Sequence, residues 1–105
     1  MRVIINVTDR AVKARGINLA GKLRPQFVHR HVGEHGTGNL TTVGFKYQGS
    51  QERPYDVVVQ IKDNSGIVDD DACSCPYFVK HHHCKHTVGA AVWVSRNVRA
   101  LPPQQ

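Results

Sequence analysis

The chain has 105 residues, a net charge of +6 and a sequence pI of about 9.6. This length predicts one domain, over residues 1–100, followed by a flexible tail at 101–105. No apolar run approaches the roughly 20 residues of a membrane span, and Val3–Val7 is too short for a signal-peptide core. These features argue against a membrane protein, and the basic charge favours a polyanionic partner.

The charge is unevenly distributed along the chain. Residues 1–50 contain eight Lys and Arg against two acidic residues, whereas residues 51–105 contain six of each kind. We therefore expect the first half to supply most of the attraction to a polyanion, unless its cations simply form a solvated surface. The run Asp69–Asp71 argues against a phosphate backbone lying along that segment.

The N-terminal segment predicts a strand followed by a helix. Apolar and other residues alternate over Arg2–Val7, which is typical of a strand. Thr8 or Asp9 can then cap a helix over residues 9–23. The residues available for burial in this helix are Ala11, Val12, Ala14 and Leu19. The basic residues on its exposed face or near its C-terminal end are Lys13, Arg15, Lys22 and Arg24.

The middle of the chain predicts an antiparallel meander. Further strands are indicated at residues 26–32, 41–47, 55–62 and 67–75. The signal is either an alternation of apolar and polar residues or an enrichment in β-branched and aromatic residues. Glycine-rich or polar segments predict the turns between them, at 33–38, 49–54 and 64–66. A helix follows, with apolar positions at helical spacing from Val88 towards Val98.

The only three cysteines of the chain lie within twelve residues of one another, and a histidine follows them. Cys73 and Cys75 are two positions apart, so in an extended segment both point to the same side. Cys84 and His86 come at the start of the last predicted helix, where unpaired amides and the helix dipole favour a thiolate. Three thiolates and one imidazole complete a tetrahedral zinc site with no open position. The sequence therefore predicts one structural zinc per chain, joining a strand end to a helix start.

Other interpretations of these cysteines explain less of the pattern. A disulfide leaves one cysteine over, and a bridge across a single residue is strained. A catalytic cysteine beside a histidine leaves the other two unexplained, and three unrelated buried cysteines are a further alternative. A Cys2His2 finger needs a different spacing and two histidines further on. Iron, or another metal that prefers soft ligands, remains an alternative to zinc.

The spacer between the two halves of the motif contains three consecutive histidines, His81–His83. One of them could compete with His86 for the metal, although three adjacent residues cannot all reach one ion. We expect instead that residues 76–83 form a cationic, solvent-exposed loop tip.

Cys-x-Cys, a short spacer and Cys-x-His together resemble the SWIM zinc finger family. The match includes Cys73-Ser-Cys75-Pro76-Tyr77-Phe78 and Cys84-Lys85-His86-Thr87-Val88, and the motif spans about residues 66–98. The predicted elements and this resemblance give one SWIM-like zinc-binding domain of α+β class. It would be a small antiparallel β-meander with an N-terminal helix and a C-terminal helix, clamped by a structural zinc.

The resemblance and the basic first half favour a module that binds nucleic acid, and DNA in the first instance, largely through backbone contacts. The family occurs in transposases, recombination-associated proteins and chromatin-remodelling ATPases, so the resemblance implies a system of that kind. The cations expected at the interface are Lys13, Arg15, Lys22, Arg24, Lys80 and Lys85. In this spacer, Tyr77 or Phe78 could stack on bases, or pack in the core or around the metal instead.

The alternative function is a protein-interaction adaptor that uses the zinc finger as its scaffold. We expect neither an enzyme nor a small-molecule substrate, because the sequence contains no convincing carboxylate pair, no nucleophile with a base and no nucleotide loop. Cysteines used as metal ligands favour a reducing, intracellular compartment over a secreted disulfide scaffold.

Overall fold

The computed structural model describes residues 3–5, 7–32, 39–49, 53–63 and 65–97. Four strands, β1 (Arg24–Val32), β2 (Asn39–Tyr47), β3 (Tyr55–Lys62) and β4 (Val68–Cys73), form one antiparallel sheet in that order. The helices are α1 (Arg10–Leu19), α2 (Pro76–His81) and α3 (Lys85–Asn97), and a 3-10 turn at Ala20–Lys22 follows α1. The predicted α+β meander with an N-terminal and a C-terminal helix is confirmed. The loop predicted at 33–38 and the tail predicted at 101–105 lie outside the described residues.

One face of the sheet forms the core of the molecule. The cross-strand pairs Val43–Val59 and Phe45–Val57 place four buried side chains on this face, because alternate residues of a strand share a side. Cys73 lies opposite Val57 in the neighbouring strand, so its side chain belongs to the same face. α3 packs against this layer. The sheet therefore delivers the first cysteine of the motif directly to the start of α3.

The predicted cap of α1 is confirmed, and two of the four residues predicted to be buried in it are buried. The carboxylate of Asp9 accepts hydrogen bonds from the backbone amides of Ala11 and Val12 at 3.0 and 3.1 Å, which satisfies two of the free donors at the helix start. Val12 and Leu19 are buried, as the periodicity predicts.

α1 and α3 cross unusually closely, and glycine makes this possible. A Cβ atom on Gly16 would lie only 2.5 Å from Cβ of Val88, and one on Gly89 would lie 3.0 Å from the carbonyl oxygen of Gly16. The prediction that Ala11 and Ala14 are buried is wrong, because Gly16 occupies the helix seam and both alanines face solvent.

The predicted N-terminal strand is also wrong. Among residues 3–5, Ile4 forms an isolated parallel bridge with Ile67 and extends no further as a ladder. Val3 is nevertheless buried in the core, which explains the apolar alternation without a strand. No helix in the described part of the chain is long and apolar enough to cross a membrane.

Candidate metal centre

The four side chains predicted as metal ligands converge between the sheet and α3. The sulfur atoms of Cys73, Cys75 and Cys84 and a ring nitrogen of His86 all lie within 4.8 Å of one another. All four residues are buried, with exposed fractions between 1% and 6%. They form a Cys3His cluster that could bind one metal ion.

The distances within the cluster fit a tetrahedral zinc site. Nδ1 of His86 is 3.6 Å from Sγ of Cys73 and 3.6 Å from Sγ of Cys84. Zinc–sulfur bonds of about 2.3 Å and a zinc–nitrogen bond of about 2.0 Å, set at the tetrahedral angle, place sulfur and nitrogen about 3.6 Å apart. These two sulfur–nitrogen distances are therefore compatible with a tetrahedral metal ion bound through Nδ1 of His86.

Two backbone contacts hold the Cys-x-Cys segment against the sheet. The amide of Asp56 donates to Oγ of Ser74, and the amide of Ser74 donates to the carbonyl of Asp56, both at 3.0 Å. Cys75 then caps α2, since its Sγ accepts a hydrogen bond from the amide of Phe78 at 3.4 Å. A sulfur that accepts an amide hydrogen bond is stabilised as a thiolate, which is the form that binds a metal.

The spacer is helical, so the prediction of a loop tip at residues 76–83 is wrong. Pro76 occupies the first turn of α2, where its missing N–H removes no helical hydrogen bond. The helix stops at His82, which has a left-handed φ of 60° and donates its amide to the carbonyl of Phe78 at 2.7 Å. This reversal returns the chain to the other two sulfurs at Cys84. The cluster contains none of the three spacer histidines.

The second half of the motif is fixed by a buried hydroxyl and by two tyrosines. Oγ1 of Thr87 donates to the carbonyl of Cys84 at 3.1 Å and accepts from its amide at 3.4 Å. The imidazole of His86 packs against the rings of Tyr47 and Tyr55, with centroid distances of 5.1 Å to each. These tyrosines are cross-strand partners in β2 and β3, so the hairpin orients the histidine. Sequence reasoning missed this contact, because alternation identifies the face of a strand but not its register.

The three thiols of the cluster differ in their protonation. A hydrogen bond from the thiol of Cys73 lowers the pKa of Cys84 to about 3, and His86 contributes in the same direction. The same bond raises the pKa of Cys73, and burial raises the pKa of Cys75. In the folded cluster without a metal, these shifts favour a thiolate at Cys84 and thiols at Cys73 and Cys75. A metal ion that binds to such a preformed cluster would have to displace the two remaining protons.

The cations predicted at a nucleic-acid interface lie on helical elements, with one exception. Lys13 and Arg15 lie on α1, Lys22 in the 3-10 turn, Lys80 on α2 and Lys85 at the start of α3. The exception is Arg24, which begins β1 and donates its guanidinium to the carbonyls of Leu23 and Gly21 at 2.9 and 3.3 Å. Arg15 and Lys85 line the same cavity.

No protein-family model, no curated protein and no solved structure matches this chain. The case for a metal site therefore rests on the donor set, its burial and its distances. Three sulfurs and one imidazole nitrogen are the donors of closed, structural zinc sites, whereas magnesium and calcium prefer oxygen.

Proposed function

We propose that this protein is a zinc-binding module that binds nucleic acid, and DNA in the first instance, mainly through the phosphate backbone. The observation that carries this proposal is the charge of the helices. α1, the 3-10 turn, α2 and α3 together contain seven Lys and Arg and no Asp or Glu. We call these seven the helical cations: Arg10, Lys13, Arg15, Lys22, Lys80, Lys85 and Arg96.

Zinc is the proposed metal, and its proposed role is structural. It would bind Cys73 at the end of the sheet together with Cys84 and His86 at the start of α3. Four protein ligands leave no coordination position for water or substrate. The resemblance to the SWIM zinc finger supports this assignment, as does the agreement of the sulfur–nitrogen distances with tetrahedral zinc.

The cations of the sheet are engaged differently from the helical cations. Three of them form ion pairs with aspartates: Arg30 with Asp63 at 3.7 Å, Lys62 with Asp69 at 3.5 Å and Lys46 with Asp56 at 4.0 Å. Within the described residues, none of the helical cations forms such a pair. Because a cation without a carboxylate partner is free to replace the counterions of a phosphate backbone, the helices are the better surface for nucleic acid.

The test compares two variants that lose the same charge. One carries Lys13→Gln, Arg15→Gln and Lys22→Gln, and the other carries Arg30→Gln, Lys46→Gln and Lys62→Gln. Binding of the zinc-loaded proteins to labelled duplex DNA is measured by fluorescence anisotropy over a salt series. Each phosphate that is no longer neutralised should reduce the slope of log affinity against log salt by about 0.9, and we expect this reduction only in the helical variant.

Equal slopes for both variants would remove the helical surface from the proposal. Absence of binding by the wild-type protein, even at low salt, would contradict nucleic-acid binding altogether.

The alternative, a protein-interaction adaptor, is favoured by one observation on the opposite face of the sheet. Phe27 is 45% exposed and covers the backbone of Gly44, where a Cβ would lie 2.1 Å from its ring. His29 contacts the same ring edge-on, at a centroid distance of 5.7 Å. Such a surface would bind a partner through apolar contacts, so its affinity should respond weakly to salt. Salt dependence therefore separates the two functions.

A further inference from the structure

A cavity of about 200 Å³ reaches the metal cluster and is lined by residues of α1, α2 and the start of α3. Its lining includes the cations Arg15 and Lys85 and the aromatic residue Tyr77, and Val12 and the cluster residues Cys75, Cys84 and His86 complete it. We call it the Tyr77 cavity. It collects two positive charges and one aromatic ring from three different helices.

The helix crossing explains why the two cations meet there. A Cβ on Gly16 would lie 2.9 Å from the carbonyl oxygen of Lys85, so the backbones of α1 and α3 are almost in contact at this point. Arg15 precedes this glycine on α1 and lines the same cavity as Lys85. Neither cation forms an ion pair within the described residues.

The metal cluster does not fully compensate these two charges. Three thiolates and one divalent zinc ion would carry a net charge of –1. Arg15 and Lys85 together carry +2, so the cavity retains a positive charge when the metal is bound. This charge favours an anionic ligand of small size, such as one phosphate group.

Tyr77 is held in place although it is exposed. The residue is 43% exposed, and α2 contains no buried residue. His81 packs against the ring at a centroid distance of 4.3 Å and an angle of 36°, and His83 contacts it edge-on at 5.8 Å. Phe78, by contrast, packs against the hydrophobic core. Tyr77 is therefore the more exposed of the two aromatic residues of the spacer between Cys75 and Cys84.

We propose that the Tyr77 cavity binds one nucleotide of a single-stranded nucleic acid, with Arg15 and Lys85 at the phosphate and Tyr77 stacked on the base. Proteins that bind single strands combine cations along the backbone with aromatic rings on the bases. In a duplex the faces of the bases are covered by their neighbours, so the ring would have no base to stack on. The inference rests on the proposed function and adds that the Tyr77 cavity recognises single-stranded rather than duplex nucleic acid.

The first experiment measures the binding of a labelled oligothymidylate and of duplex DNA to the full zinc-loaded chain. Tyr77→Ala should weaken single-strand binding by about fivefold to 150-fold, the range found when an aromatic ring that stacks on a base is removed. It should leave duplex binding unchanged, and Tyr77→Phe should retain wild-type affinity for both. Zinc content is measured for each variant, and Tyr77→Leu replaces Tyr77→Ala if the alanine variant loses its metal.

A second comparison tests the two cations. The variant Arg15→Gln/Lys85→Gln is set against Lys22→Gln/Arg96→Gln, which removes the same charge from helical elements outside the cavity. We expect the first pair to lose more single-strand affinity than the second. Its salt slope on single strands should also fall by about 0.7 for each phosphate that the variant no longer neutralises.

The outcomes separate this inference from the function on which it rests. If Tyr77→Ala, or its leucine substitute, binds oligothymidylate as tightly as wild type, the cavity is not the binding site. Equal losses of single-strand affinity in the two double variants would also contradict the cavity as the binding site, because they would show that only the overall positive charge matters. Duplex binding that still depends on the helical cations would then preserve the proposed function, whereas a wild type that binds neither strand form would contradict both.

Discussion

The sheet of this protein carries equal numbers of basic and acidic residues, whereas the helices carry basic residues alone. The four strands contain four Lys and Arg and four Asp, and each of three basic residues forms an ion pair with an aspartate. The helical elements contain seven cations and no acidic residue. Along the chain the excess positive charge lies in residues 1–50. In the fold it lies in the helical elements. The cations of α2 and α3 therefore join those of α1, although they come from the half with no net charge.

The metal cluster lies between these two layers and takes ligands from both. Cys73 comes from the end of β4, Cys84 directly precedes α3 and His86 lies in its first turn. A metal bound there would fix the charged helices to the balanced sheet. A change that removes the metal should therefore weaken the packing of the two layers against each other.

The largest expected effect is the loss of a ligand. Cys84→Ser or His86→Ala should abolish stoichiometric zinc binding and cooperative unfolding. Zinc contributes about 10–16 kcal/mol of apparent binding energy in small structural sites, which is comparable to the typical stability of a domain, about 5–15 kcal/mol. Zinc content and thermal unfolding followed by circular dichroism measure both effects.

The matched control replaces the histidines outside the cluster. The variant His81→Ala/His82→Gly/His83→Ala should keep one zinc and a cooperative fold, because glycine suits the left-handed backbone at position 82. If this variant loses its metal while His86→Ala retains it, the ligand assignment is wrong.

The next effect is the number of protons that zinc releases from the three cysteines. It depends on the different pKa shifts of Cys73, at the end of β4, and Cys84, just before α3. In a preformed cluster the lowered pKa of Cys84 makes it a thiolate, while Cys73 and Cys75 keep their protons, so zinc would release two. In an unfolded chain all three thiols have a pKa near about 8.5, so folding coupled to zinc binding releases about three at pH 7.5. We expect three, and hence an affinity that rises about a thousandfold per pH unit around neutrality.

Calorimetric titration of the stripped protein with zinc, in buffers of different ionisation enthalpy, counts these protons. A count near two would show that the sheet and the helices are already joined before the metal arrives.

The smallest effect lies within the helical layer. Gly16→Ala should lower the free energy of unfolding by about 1–3 kcal/mol, because the new methyl group overlaps Val88 at the helix crossing. Gly21→Ala is the matched control, since a Cβ there has no atom within 4 Å, and it should be neutral or slightly stabilising. Chemical denaturation of the zinc-loaded proteins measures both. Equal stability of the two variants would contradict the close crossing that brings Arg15 to Lys85.

Much of the sheet could be predicted from the sequence because its buried positions alternate. β3 has the predicted bounds, 55–62, since the alternation there is nearly complete. The same signal misleads at Arg2–Val7, where apolar side chains pack on the core without a strand partner beyond the bridge at Ile4. An alternation of apolar and polar residues shows that one side of an extended segment is buried. Whether that segment pairs as a strand depends on hydrogen bonds to residues distant in sequence.

The Cys3His cluster was predictable because its pattern is local in the sequence, whereas its surroundings were not. Pro76 ends a strand and also favours the first turn of a helix, and the sequence does not decide between these roles. The contact of Tyr47 and Tyr55 with His86 depends on the register of a hairpin and on the placement of α3. The separation of charge into layers likewise emerges only when the helices have been assembled.

Zinc K-edge X-ray absorption of the purified protein tests the central claim most directly, because it reports the donors around the metal. We predict one zinc per chain with three sulfur neighbours at about 2.3 Å and one nitrogen at about 2.0–2.1 Å, with no water oxygen bound to the metal. A coordination sphere with fewer sulfurs and an added oxygen would contradict the closed site. So would a fully folded chain that carries no metal under reducing conditions.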